Sequence, residues 1–151
     1  MSALLYLPAR ADADLASALL SALREDQSVV DAFGPSPRVF DNETTRAMYP
    51  FAALESHETE DASFVGVQAR LHRISLATAS RSGGITQARR LIDALSTAAD
   101  SARLSLPGQT LVYCYSVYSD VVRPPNREHF RGLLRLKLLT RATAQTQGVP
   151  T

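Results

Sequence analysis

Cysteine, tryptophan and lysine are almost or wholly missing from this chain. The one cysteine, Cys114, forbids an internal disulfide and fits a reducing compartment. Lys137 is the one lysine among 16 basic residues, and tryptophan does not occur. An excess of either charge is missing too. The net charge of +1 gives no global attraction to nucleic acid or to an anionic membrane. No apolar run approaches the roughly 20 residues of a transmembrane helix, so no membrane partner is expected. The opening MSALLYLPARADADL has no basic segment and its apolar run stops at Pro8, so no secretory signal is expected. Catalytic and nucleotide-binding motifs are absent as well: no G-x-S-x-G, no G-x-x-x-x-G-K, no G-x-G-x-x-G, and no Cys-His-Asn signature around Cys114. No cofactor and no enzymatic activity are expected.

What is present fits one ordinary domain of 151 residues, 45% hydrophobic and 21% charged. The chain is organised around 67–99, which reads VQARLHRISLATAS, then RSGG, then ITQARRLIDALSTAA. The first part alternates as a strand does. The last places Ile85, Ala88, Leu91, Ile92, Leu95, Ala98 and Ala99 on one face of a helix expected over 84–99. Gly83 and Gly84 permit the sharp turn between them. Such a helix needs a surface to lie on, and the flanking strands offer one.

Earlier in the chain, Leu15, Ala18, Leu19, Ala22 and Leu23 predict a helix over 11–25, with Asp12 or Asp14 as its cap. A short second helix is expected over 27–33, ended by Gly34-Pro35-Ser36-Pro37. Arg38–Asp41 and Pro50–Ser56 read as strands, and Asn42–Tyr49 as a loop. His57–Ser63 reads as a solvated hairpin tip or loop. In 67–79 the apolar parity changes, which predicts a bulge near His72–Arg73. In 110–122, Leu111, Tyr113, Tyr115 and Val117 are expected on one face. Val112, Cys114, Tyr118 and Val122 are expected to be half-exposed on the other. In 128–141, Phe130, Leu134, Leu136 and Leu138 oppose a basic stripe of Arg131, Arg135, Lys137 and Arg141. A break is expected at Pro124-Pro125-Asn126 and a frayed tail at 143–151. The fold class is therefore α+β, with a largely antiparallel sheet of four to five strands and helices packed on one face.

Two readings compete for the polar residues. His57 with Glu55, Glu58 or Asp61 could form a small metal-dependent hydrolase, although the spacing matches no ligand motif. His72 and His129 read as packing or exposed residues. The basic stripe could be a solubilising face, an interface, or the lining of a nucleic-acid channel that neutralises phosphates without reading bases.

The order of pieces resembles a known family. LASALLSALRED leads to VVDAFGPSPRVFDN and PFAALESHETED, then SLATASRSGGITQARRLIDALSTA, then LPGQTLVYCYSVYSDVVRPPNREHFRGLLRLKLLTRA. Over roughly 12–143 this resembles the tail-completion, or tail-terminator, family of long-tailed bacteriophages and of gene transfer agents. Its most telling portions are 74–95 and the late strand in which Phe130 and Gly132 precede alternating leucines. The polar 55–63 stretch departs from the pattern. The resemblance implies a structural virion protein, assembled in the bacterial host cytoplasm and located at the tail and neck. It implies a hexameric ring that caps the head-proximal end of the tail tube. The partners would then be the tube protein and a neck or head-completion protein, with DNA passing through the lumen without sequence-specific binding. The interaction residues expected on that basis are Arg131, Arg135, Lys137, Arg141, Tyr118 and Val122. A head-completion or neck adaptor role is the nearest alternative.

Overall fold

The computed structural model describes residues 6–42, 48–81, 83–123 and 129–143. The elements run α1 (Ala11–Glu25), α2 (Gln27–Phe33), β1 (Val39–Phe40), β2 (Phe51–Asp61), β3 (Ala69–Ser80), α3 (Gly84–Asp100), β4 (Gln109–Val122) and β5 (Phe130–Ala142). The five strands form one sheet in the order β1-β2-β3-β5-β4. β1 pairs in parallel with β2, and every other pair is antiparallel. The α+β class and the largely antiparallel sheet are as the sequence predicts.

The helices form because their apolar spacing matches the face they bury. Leu15, Leu19 and Leu23 of α1 and Leu91, Ile92 and Leu95 of α3 are fully or almost fully buried. They meet Ile74 and Leu76 of β3 and Leu134, Leu136 and Leu138 of β5. Each such side chain is worth about 1.5–3 kcal/mol when taken fully out of water. The Asp26 carboxylate caps α2 by accepting from the Ser28 amide at 2.8 Å. No side chain caps α1; Asp12, expected to do so, instead accepts from Arg70 of β3 at 3.1 Å. Gly83, at φ 76, makes the left-handed turn into α3.

α3 comes close to the sheet at Gly132 of β5. A Cβ there would lie 2.4 Å from Thr78 Oγ1 and 2.7 Å from Ile92 Cγ1. The glycine in this strand therefore marks a close approach of helix to sheet.

Three expectations are corrected. β3 carries no bulge: its pairing with β5 runs unbroken from Ala69↔Arg141 to Ser80↔Phe130. The burial alternation continues through His72, which lies beside Ile74 and Leu76 on the helix side. The bulges are elsewhere, between Leu54 and Ser56 in β2 and twice in β4. Second, the polar His57–Asp61 stretch is strand, not loop, because it pairs residue by residue with Arg70–Ile74. The hairpin tip lies beyond it, where Phe64 and Val67 exchange backbone hydrogen bonds and Phe64 and Val65 are exposed. Third, β4 distributes its faces differently, as described below. The expected loop at Asn42–Tyr49, the break at Pro124–Asn126 and the tail fall wholly or largely outside the described residues.

Gly132→Ala is expected to lower stability by about 1–3 kcal/mol, because Ile92 and Thr78 must both give way. Urea unfolding followed by circular dichroism measures it, and an unchanged midpoint would show that α3 is free to shift.

Candidate functional site

Among the described residues the helices share one side of the sheet, and strand alternation delivers the other side as an open face. On β5, Arg131, Leu133, Arg135, Lys137, Leu139 and Arg141 alternate with the buried leucines, and none of them is buried. β4, at the sheet edge, adds to this face through its bulges. Extra residues at Val112 and Val117 each flip the later side chains. Tyr113 and Tyr115 therefore oppose Leu139 and Lys137, and Tyr118 and Val122 oppose Arg135 and Arg131. Leu111 and Cys114 instead lie on the helix side, opposite Thr140 and Leu138, and pack against the core. This corrects the expected grouping of Leu111 with Tyr113 and of Cys114 with Tyr118.

The open face is aromatic and charged together. The Arg135 guanidinium lies 5.1 Å from the centre of the Tyr118 ring. The Tyr118 hydroxyl donates to Asp120 at 2.6 Å, and that hydrogen bond raises the phenol pKa. The Tyr113 and Tyr115 rings lie 5.1 Å apart. Arg73 of β3 pairs with Glu60 at 3.1 Å, and Arg131 pairs with Glu55 at the β2 bulge. Between the strands lies an open cleft of about 260 Å³, walled by Ser56, Glu58, Arg73, Val117, Arg135 and Lys137. Val117 is 53% exposed, Tyr118 and Val122 47% each, and Tyr115 41%. No nucleophile and base are poised together in the cleft. Arginine and tyrosine, set together here on an exposed surface, are side chains that commonly anchor protein–protein contacts.

Of the six residues expected from sequence, Arg135 and Lys137 wall the cleft, and Tyr118 lies against Arg135. Val122 lies opposite Arg131, whose charge Glu55 already engages. Arg141 is exposed at the far end of β5. Sequence reasoning missed Tyr115 and Val117, because the bulges invert their faces, Arg73, because β3 runs without the expected bulge, and the strand position of Glu58, because 57–63 reads as a loop. The signal for Arg73 was available: placing His72 with Ile74 and Leu76 leaves Arg73 outward.

At the end of the open face nearest β1, local side chains cover Phe51. Its ring meets Phe40 and Tyr49, and Arg81 lies over Tyr49 at 4.4 Å. His129, at the entrance to β5, packs its ring 5.8 Å from Tyr49.

The histidine and acidic residues do not converge on a metal. His57 lies on the helix side of β2, whereas Glu58 and Glu60 lie on the open face. Among the described residues, no three potential ligands cluster. His57 Nε2 instead meets His72 Nδ1 at 2.9 Å, and His72 Nε2 meets Thr140 Oγ1 at 3.0 Å. Arg70 reaches Thr59 at 2.6 Å and Asp12 of α1 beside them. Burial lowers the pKa of both imidazoles, and burial together with the proximity of His57 brings that of His72 to about 4. Burial raises the Cys114 thiol to about 12.

A family model described as tail completion protein gp17 matches residues 17–141. Among solved structures, the chain is similar to one from "Virion of native gene transfer agent (GTA) particle". The TM-score is 0.77 at 19% identity, covering 89% of this chain and 100% of that one. No curated protein matches in sequence.

Two predictions follow from the buried groups. Below pH 6.5 the unfolded chain binds a proton at His72 that the native chain refuses down to about pH 4. Stability should therefore fall across that window by up to about 3 kcal/mol from His72. Urea unfolding from pH 7 to pH 4 reads the slope, and His72→Gln should flatten it while lowering stability at pH 7. In the native protein, Cys114 should resist an aromatic disulfide reagent at pH 8 and react only on unfolding. Rapid labelling under native conditions would contradict its half-buried placement against the core.

Proposed function

This chain belongs to the tail completion protein gp17 family of structural virion proteins, and on that premise we propose that it is a tail terminator. In this reading, copies close into a ring, six to the turn, on the head-proximal end of the tail tube. The ring halts tube growth and presents a surface to the neck or head-completion protein. DNA crosses the lumen without base-specific contacts, and the protein carries no catalysis and no cofactor. Assembly takes place in the host cytoplasm.

The observation that carries this reading is the uncovered sheet face. Its long edge strand exposes Tyr115, Val117, Tyr118 and Val122 beside Arg135, Lys137 and Arg141. Exposed apolar side chains grouped in this way mark a surface intended for a partner. A ring requires a heterologous contact, in which one patch meets a different patch on the neighbour. The open face and the helix layer are two unlike surfaces on opposite sides of one thin domain. Arg131, Arg135, Lys137, Arg141, Tyr118 and Val122 are proposed as residues that meet virion neighbours.

Hosts producing particles without this protein should make tail tubes of uncontrolled length. Adding the purified protein to growing tubes should cap one end with a ring and fix their length, as seen by negative-stain electron microscopy. Protein found on capsids and never on tubes would replace this reading with that of a neck adaptor.

A further inference from the structure

We propose that the open sheet face seats helix α1 of a second copy of this chain, so that subunits pack front to back. The inference rests on the assembly reading above and names the two surfaces that meet.

The argument begins with charges that find no partner within the subunit. Among the described residues the ion pairs are Arg70–Asp12, Arg73–Glu60, Arg89–Asp93 and Arg131–Glu55. Lys137 and Arg141 on the open face are in none of them, and neither are Asp14 and Glu25 on α1. Lys137 and Arg141 lie on the sheet side of the domain, and Asp14 and Glu25 on the helix side. These four unpaired charges are thus opposite in sign and stand on opposite surfaces of one subunit.

The spacing of these charges also agrees. Asp14 and Glu25 stand about three helical turns apart on the same side of α1, about 16 Å along its axis. Along β5, Arg141 lies about 13 Å from Lys137 and about 20 Å from Arg135. One carboxylate can thus reach Arg141 while the other reaches the Lys137–Arg135 pair.

The surfaces between the charges fit as well. Ser17, Ala18 and Ser21 lie between Asp14 and Glu25 on the same outward side of α1, and none of them is buried. These small residues allow close approach. Facing them on the sheet would be Leu139, Tyr113 and Tyr115, bulky groups that cover apolar area once a flat helix settles on them. The other occupant to consider is the DNA backbone. It fits less well, because Glu58 and Glu60 share this face with the cations and would repel phosphate. Exposed valine and tyrosine gain nothing from a phosphate strand.

Charge reversal tests the contact. One variant carries Arg135→Glu and Lys137→Glu; the other carries Asp14→Lys and Glu25→Lys. All four side chains are surface groups, and circular dichroism with thermal melting checks that each variant folds. Light scattering and native mass spectrometry over a concentration series then report the assembly state. Each variant alone should need at least tenfold higher concentration to assemble than the wild type. An equimolar mixture should recover assembly, because in alternating order every junction is again complementary. A chain carrying all four changes should recover it by itself.

The proposal is overturned if reversal leaves assembly unchanged, if mixing does not restore it, or if the wild type stays monomeric throughout. It is also overturned if the basic-face variant loses only retention on DNA while its assembly is intact. Tube capping is scored separately. Oligomers that obey the charge swap but leave tubes uncapped uphold this contact and remove the terminator reading. Rings that cap tubes regardless of reversal do the opposite.

Discussion

A sheet of five strands has two faces, and among the described residues the helices cover one. That imbalance governs the molecule. On the covered face, α1 and α3 bury a continuous set of leucines and isoleucines. On the other, the strands end in arginine, lysine, tyrosine and valine, with a local aromatic cluster around Phe51 covering the end next to β1. Arginine and lysine keep the bare face in water while their stems lie along apolar surface. The same groups become anchors when a partner displaces the water.

The covered face is held by fit more than by bulk. α3 can lie on the sheet only because Gly132 offers no side chain beneath Ile92. Farther along the same strands, about 20 Å from this contact, the core admits a polar device. His57, His72 and Thr140 satisfy one another, and Arg70 ties the same corner to Asp12 of α1. A buried histidine is costly when charged, so the network fixes the neutral form and joins three strands to a helix. The acidic run in β2 thus separates by strand alternation. Its histidine and Thr59 serve the interior, and Glu58 and Glu60 serve the open face.

The edge strand β4 is where a sheet of this kind is most exposed to unwanted pairing. Its two bulges interrupt the ladder and increase the local twist, which discourages another strand from adding there. They also bring the tyrosines to the same face as the basic stripe. One backbone feature therefore protects the edge and builds the candidate surface. In the proposed ring, front-to-back packing would use the surface that the helices leave bare.

Much of this was legible in the sequence. Helical periodicity located α1, α2 and α3, because apolar residues at that spacing have no other way to share a face. The alternation of Leu134, Leu136 and Leu138 with Arg135 and Lys137 defined β5 and its basic side. What only the tertiary structure decided is which way β3 and β4 face and how long β2 runs. Period-two reading fails at a bulge, since one extra residue reverses everything after it, and a bulge depends on the partner strand. It fails equally at a buried histidine, whose place inside is secured by hydrogen bonds from residues distant in the chain. Strand order is set the same way: β5, with one face fully buried, pairs with β3 on one edge and β4 on the other, partners that lie far from one another in the chain.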